Sequence, residues 1–582
     1  MRRLEADVVV IGGGATGASV FRDCCLRGMH TILVERGDIA SGTTGRNHGL
    51  LHSGARYAVT DGHSARECIE ENRTLKKIAG HCVEETDGLF ISLPEDGLDF
   101  QKQFVDGCAS AGIETQVLTP EEAIRLEPSV NPDLIGAVRI PDGTIDPFRL
   151  TSASILDARE HGGTLLNYTK AVGLIIRLGY VQGVRCCDMR TGEMFEIYSR
   201  QVINASGAWC HEVMEYADLS VDMYHSRGAL LIMGYRMNSM VINRCRKPGD
   251  ADILVPGDTV SVIGTTSTHV EKDQLDNLEV TEDEVRVLLA EGSKLAPSMM
   301  DTRILRAYCG VRPLVSETNS SGGRSISRGL VAIDHAEKDA LNGLITITGG
   351  KLMTCRLMAE VATDMAARHL GVTKPCETAK RALPGANLPE AMGRKTREAR
   401  KTGYSLPGSS IPNSVAGSAV YRHGDRARNF MKEDSNWNNA VVCECEVVTR
   451  GEILYAIDKL NARTLSDLRR RTRVGMGPCQ GEMCACRVAG LLASSREDGE
   501  VVLDSLHDFV DERWKGVRPI LWGDALREAE FSYWVQEGLL GLSSLQKDEA
   551  KPLLEIQEPE SEETQCEQEA KQTAQKDTHH EA

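Results

Sequence analysis

The chain has 582 residues, too many for one ordinary hydrophobic core, so two or three domains are expected. It is 41% apolar and 26% charged, a soluble globular composition, and no apolar run approaches the roughly 18 residues that span a bilayer. A net charge of −17 without a long Lys/Arg tract argues against a nucleic-acid partner.

The opening "MRRLEADVVVIGGG" holds two arginines, two acidic residues and then a strand, with no signal-peptide apolar region. "DVVVIG" reads as a short β-branched strand, "GGATGASVFRDCCLRG" as a helix ending at Gly28, and "HTILVERG" as a second strand. Together they form a βαβ unit. Strand-like runs recur at "GLFISL", "RQVINASG" and "GLITITGG", separated by helical stretches such as "TEDEVRVLLAEGSKLA". The sheet is therefore expected to be assembled from distant segments. Residues 377–440, with a Pro/Gly/Ser-rich centre at 383–418, read as a linker. A cysteine segment follows at 441–490, then a Trp-containing helical stretch at 491–545. The Glu/Gln-rich remainder, 546–582, has the composition of a disordered acidic tail. Eighteen cysteines, twelve of them before residue 400, have no small-domain disulfide spacing, which fits a reducing cytosol.

Gly12, Gly14 and Gly17 directly follow the first strand and open the helix, and Glu35 ends the next strand 18 residues after Gly17. This is the context that a dinucleotide fingerprint requires. The first glycine permits a tight turn, the second lets a pyrophosphate reach backbone N–H groups, and the third allows helix–strand packing. Glu35 is expected to accept hydrogen bonds from ribose hydroxyls. The fingerprint alone does not separate NAD from FAD. The next segment, "GDIASGTTGRNHGLLHSGARY", has five glycines and many small polar residues, where a nicotinamide enzyme usually enters an ordinary helix. That pattern favours FAD.

The stretches "VVVIGGGATGASVFRDCCLRG", "GRNHGLLHSGARYAV", "VINASGAW", "VIGTTS", "YCGVRPLV" and "GGKLMTCRLMAE" resemble the FAD-dependent glycerol-3-phosphate dehydrogenases, a likeness that extends over residues 5–545. With the C-terminal cysteines, the chain is similar to the large catalytic subunit of the anaerobic, three-subunit members. The resemblance implies an α/β fold: an FAD-binding Rossmann-type domain with an inserted mixed-sheet substrate domain, followed by a small helical Cys-rich domain. Flavin segments are expected at about 1–90, 136–220 and 305–376, and substrate segments at about 91–135 and 221–304. It further implies FAD contacts from Arg36, Thr43, Thr44, His48, Gly49, Leu50, Ala205, Gly207, Gly349, Gly350, Lys351 and Leu352. The substrate implied is glycerol 3-phosphate, with electrons passing through partner flavin and iron–sulfur subunits to membrane quinone. Membrane contact would then be indirect, on the cytoplasmic face.

A dianionic phosphate needs fixed cations, preferably arginine, whose fork matches phosphate oxygens. Arg56 in "SGARY", Arg312 in "GVRPL", Arg328 in "SISRG" and Lys351 in "GGKLMT" occupy glycine-rich or strand-end contexts. By the resemblance they line the substrate site with Tyr57. Arg56 and Arg328 are assigned to phosphate and hydroxyl contacts, and Arg312 and Lys351 to the reacting carbon and the flavin. Oxidising a secondary alcohol also requires loss of a proton. His52, His48 and Lys351 are the candidates to take it. Cys355 stands where the family commonly has Tyr.

Cys443, Cys445, Cys479, Cys484 and Cys486 fall within 44 residues as C-x-C, 33 residues, then C-x4-C overlapping a second C-x-C. Such thiolate pairs can converge on one metal centre. The segment resembles a bacterioferritin-associated ferredoxin-like [2Fe–2S] domain, although that domain usually ends in C-x2-C. Cys443, Cys445 and Cys479 are expected ligands, with Cys484 favoured over Cys486 as the fourth. The cationic "RRRTR" at 469–473 and Arg487 are expected to offset the cluster's negative charge. Tetrahedral zinc also suits four thiolates, and buried free thiols need no metal. Two rival functions remain open at this level: a flavin oxidase of an amino or hydroxy acid, and a noncatalytic flavin/iron–sulfur relay.

Overall fold

The protein is described by a computed structural model covering residues 2–315, 329–387, 411–431, 437–495 and 500–542. Arg328, the centre of the linker at 388–410 and the acidic tail lie outside the described residues.

The first strand, Arg2–Ile11, pairs in parallel with Thr31–Glu35 on one side and Met194–Asn204 on the other. The eight-stranded sheet runs Thr169–Arg177, Tyr180–Asp188, Met194–Asn204, Arg2–Ile11, Thr31–Glu35, Thr164–Asn167. Leu344–Gly349 also pairs in parallel with the end of Met194–Asn204, and Leu330–Asp334 lies antiparallel beyond it. Val8, Val9 and Val10 are fully buried because both faces of the sheet are covered. Helices Ala15–Leu26, Pro147–Glu160 and Cys355–Leu370 cover one face around Phe21 and Leu33. Burying each of those side chains contributes roughly 1.5–3 kcal/mol.

A second, nine-stranded sheet is built on Met223–Met233, which pairs with Ile304–Val315 from Met223 opposite Val315 to Met233 opposite Ile304. The helix Glu282–Leu295, opened by a Thr281/Glu284 capping box, packs on this sheet's core. Gly88–Ser92, Gly136–Ile140 and Ile304–Val315 all belong here. Gly136–Ile140 and most of Ile304–Val315, which the expected flavin segments include, hydrogen-bond within this sheet. An apolar β-run identifies a strand but not its neighbour, and long-range pairing made that choice.

Part of the segment read as a linker is helical. Asn413–His423 is a buried helix whose Val415, Ala416, Ala419 and Val420 share a core with Phe430. Its small residues resemble a linker in composition but bury well at helical spacing. Fully buried Arg422 donates to Glu452 at 2.6 Å and to the backbone oxygens of Glu446 and Val447 at 2.7 and 2.8 Å. Burial opposes ionisation of Glu452, yet Arg422 and His423 hold its carboxyl at about 2. The cysteine segment folds as helices Arg450–Lys459, Leu465–Thr472 and Ala485–Ser494, closed over by Glu500–Val517.

Candidate functional site

The strand-to-helix turn at Gly12–Gly14 opens a cavity of about 500 Å³ that runs from Glu35 and Arg36 to Arg312 and Lys351. Gly12 has φ +109°, and a Cβ there would sit 2.7 Å from the Ala205 carbonyl oxygen, so only glycine fits. A Cβ on Gly17 would overlap the Gly12 carbonyl, which accounts for its packing role although it does not line the cavity. The Thr44 hydroxyl accepts from the Ala15 N–H at 2.9 Å, and the Thr43 hydroxyl donates to the Val311 carbonyl at 2.7 Å. The glycine-rich loop is thus tied both to the helix N-terminus and to the second sheet.

Glu35 accepts from the Gly13 and Gly37 N–H groups at 2.6 and 2.8 Å, and burial pushes its carboxyl up. Beside it the Arg36 guanidinium stacks 4.5 Å from the Trp209 ring, and Asp276 holds both, accepting from Trp209 Nε1 at 3.0 Å. Neither Trp209 nor Asp276 was singled out from sequence, although "VINASGAW" contains the former. Of the expected dinucleotide residues, Gly14, Thr43, Thr44, His48, Leu50, Ala205, Gly207, Gly349, Gly350 and Leu352 line the cavity. Gly49 lines a smaller adjoining cavity instead, its N–H held by Asn47 Oδ1 at 2.7 Å.

At the far end the structure brings together His48, His52, Arg56, Tyr57, Arg312 and Lys351. Arg56 is paired with Asp252 at 3.2 Å. Arg312 donates to Ser226 Oγ at 3.0 Å, to Thr265 Oγ1 and to the Thr266 carbonyl at 3.2 Å. Ser226, Thr265, Thr266 and Asp252 carry no charge-spacing signal of their own, and sequence reading missed them as anchors. Lys351 Nζ sits 4.8 Å from the Tyr57 ring centre, and Tyr57 in turn lies 5.4 Å from the His52 imidazole. Asn72 fixes the His52 backbone carbonyl at 3.2 Å.

His48 Nδ1 accepts the Leu50 N–H at 3.2 Å, so its remaining proton is on Nε2. Burial, and then the Arg312 and Arg56 charges, push its pKa down to about 3. A group so weakly basic is a hydrogen-bond donor rather than a proton acceptor. The buried Cys355 thiol receives the Ser19 hydroxyl at 3.5 Å, and burial raises it to about 11.

The cysteine segment holds its thiols in two pairs. Cys443 lies against Cys484, and that hydrogen bond pulls Cys443 down to about 6 while Cys484 is pushed up. The Gly475 and Glu446 backbone N–H groups also face the Cys443 sulfur. Cys445 lies against Cys479 and is raised to about 11, chiefly by burial. Cys486 is exposed on the helix Ala485–Ser494. Among the described residues no three His, Cys, Asp or Glu side chains gather as a single-ion site would require. Two thiol pairs suit a two-iron cluster, one pair per iron.

The expected arginine screen is not arranged as the run "RRRTR" suggested. Arg470 and Arg471 reach away to Asp38, in the flavin-side turn just after Glu35, at 2.7 and 2.5 Å. Burial would raise Asp38, but Arg471 and Arg470 hold it down. Arg473 bonds Asp258 and Glu446 at 3.2 Å and lies 3.6 Å from Asp146. Arg487 pairs with exposed Glu444 at 2.7 Å. Burial, with Arg306 and Arg470 beside it, lowers the Arg469 pKa to about 9.

Residues 7–364 match the FAD dependent oxidoreductase family, and residues 441–494 match the BFD-like [2Fe-2S] binding domain. The chain is 57% identical over 546 residues to the A subunit of the anaerobic glycerol-3-phosphate dehydrogenase of Escherichia coli (strain K12), covering 94% of this chain and 98% of that protein. It belongs to that family. The corresponding Haemophilus influenzae protein is 54% identical over 93% of this chain and 94% of its own length. The glycerol-3-phosphate dehydrogenase of Bacillus halodurans, solved with FAD, superposes with a TM-score of 0.64 at 23% identity, over 89% of this chain and 96% of that one, and so supports the fold.

The cofactors of this family are FAD and a [2Fe–2S] cluster. The geometry fits both: a cradle that a Cβ at Gly12 would fill for the first, and paired thiols with inward N–H groups for the second. Among the described residues no helix is long and apolar enough to cross a membrane.

Proposed function

We propose that the chain oxidises sn-glycerol 3-phosphate to dihydroxyacetone phosphate and hands the electrons to partner subunits that deliver them to membrane quinone. The observation that carries this reading is the gathering of Arg56, Arg312, Lys351, His48 and His52 in the same cavity as the dinucleotide turn. FAD bound there supplies a two-electron hydride acceptor. Gly12, Gly14, Thr44 and Glu35 would hold its pyrophosphate and ribose.

Arg56 binds the substrate phosphate and hydroxyls through charge-assisted hydrogen bonds, and Arg312 stands at the reacting carbon and the flavin. Lys351, steered by the Tyr57 ring, places a positive charge where negative charge grows as the alcohol is oxidised. His48 donates Nε2–H and cannot take the proton. His52 is assigned that role, held in place by Tyr57 and by Asn72 on its carbonyl.

Cys443, Cys445, Cys479 and Cys484 are assigned as cluster ligands, with Cys486 outside the set. Contact with the membrane is assigned to the partner subunits.

Anaerobic mixing with glycerol 3-phosphate should bleach the flavin absorbance, and bleaching only by an amino or hydroxy acid would overturn the reading. For the ligands, Cys484→Ser should abolish bound iron and acid-labile sulfide while Cys486→Ser leaves both intact. The opposite pattern would exchange the two assignments.

A further inference from the structure

The segment that matches the iron–sulfur domain ends at residue 494, yet the loop bearing Cys479 is completed from beyond it. The helix Glu500–Val517 lays Phe509 across this loop. A Cβ on Gly475 would come within 2.9 Å of the Phe509 ring, and one on Gly481 within 2.6 Å. Those glycines bracket Cys479, so the ring fills space that two absent side chains leave. One turn further along, the Arg513 guanidinium stacks 4.9 Å from the Phe509 ring centre. It donates through Nη1 to Gln480 Oε1 at 2.5 Å and through Nη2 to the Gly475 carbonyl.

Both acceptors lie on the loop that carries Cys479. Gly475 turns its N–H toward the Cys443 sulfur while its carbonyl is held by Arg513. Gln480 adjoins Cys479, and its amide nitrogen donates to the Met476 and Gly477 carbonyls at 3.1 and 3.0 Å, bracing the turn. A single buried cation therefore grips the loop at both ends. Burial, with the Arg469 and Arg306 charges nearby, pulls Arg513 well below the usual arginine range. A guanidinium nevertheless keeps its proton inside proteins, and a negatively charged four-thiolate cluster beside it would offset that cost. A positive charge and oriented N–H groups close to such a cluster favour the more negative, reduced form.

We propose that Arg513, carried by a helix outside the matched cluster domain, is a positioning residue of the iron–sulfur site that raises the cluster's reduction potential by its charge and by locking the Gly475–Gln480 loop. This rests on the assignment of the cluster to the four paired cysteines. Iron and sulfide content tests that assignment independently of the reduction potential.

The test is a spectroscopically monitored redox titration of the anaerobically purified holoprotein, with wild type compared with Arg513→Gln and Arg513→Lys. Arg513→Gln should lower the reduced-to-oxidised ratio at a fixed potential by about tenfold, equivalent to about 59 mV for a one-electron couple. Arg513→Lys keeps the charge without the two-pronged grip. It should restore most of the potential but still release iron to a chelator several-fold faster than wild type. Arg513→Gln with an unchanged potential would overturn the proposal, even if its melting temperature falls. Should Arg513→Gln not retain iron, the chelator rate of Arg513→Lys decides, and a wild-type rate would overturn the proposal equally.

Discussion

Two sets of cations in this molecule obey opposite rules. Arg56, Arg312 and Lys351 are spread over hundreds of residues, yet they line one cavity. Arg469, Arg470, Arg471 and Arg473 are almost adjacent, yet they disperse to an interior cationic group, to Asp38, and to Asp258 and Glu446. The difference is geometric. Successive residues on a helix point about 100° apart, so a charge run there is a fan rather than a patch. Cations on strand ends and tight turns from several segments can be aimed at one point. The first set is the one we propose serves the substrate, whereas Arg470, Arg471 and Arg473 fasten the cluster segment to the body.

That contrast can be broken by substitution. Arg312→Gln should reduce kcat/KM by about 10²–10³-fold with the flavin still bound, as expected for loss of a preorganised charge at the reacting centre. Steady-state kinetics with glycerol 3-phosphate checks this, and a change below threefold would remove Arg312 from the site. Asp38→Asn leaves Arg471 buried without its carboxylate and should cost about 3–5 kcal/mol of stability, seen in chemical denaturation, with kcat of the surviving holoenzyme little altered. If stability held while kcat fell, the docking arginines would belong with the catalytic ones.

Asp252→Asn is the intermediate case, because this carboxylate orients a site arginine. KM should rise roughly tenfold with a smaller change in kcat. At neutral pH His48 gives the smallest effect, which grows only in acid. Its folded pKa of about 3 lies below the ordinary 6.5, so the unfolded chain binds its proton first. Stability from this group is complete above about pH 6.5 and is lost as pH falls toward 3, at up to about 1.4 kcal/mol per pH unit. A plot of melting temperature against pH for His48→Gln should be shallower than wild type in that window. An identical slope would mean that His48 is not buried neutral.

Much of the flavin half was legible in the sequence because its signals are local. The Gly12–Gly17 turn, the Glu35 strand end and the cation-bearing glycine motifs each state their own geometry within a few residues. What was not legible depends on distant partners. Thr265 and Ser226 anchor Arg312 only because two strands bring them alongside it. The helix Asn413–His423 looked like a linker because small residues read as flexible until something packs on them. Phe509 and Arg513 fell within a stretch read only as helical, and nothing near them in sequence points to Cys479. The C-x4-C spacing could not choose between Cys484 and Cys486. In the structure Cys484, the one already favoured, is buried beside Cys443, and Cys486 is exposed.

The Asp38 contacts have a consequence for how such a protein can be encoded. Asp38 lies three residues beyond Glu35, so the cluster segment grips the same turn that shapes the ribose end of the dinucleotide cavity. Arg473 adds a second grip on the body through Asp258. The two halves are therefore joined by interlocking side chains and not merely by the peptide chain through 388–410. A gene divided at that point would yield two polypeptides that co-purify as one particle.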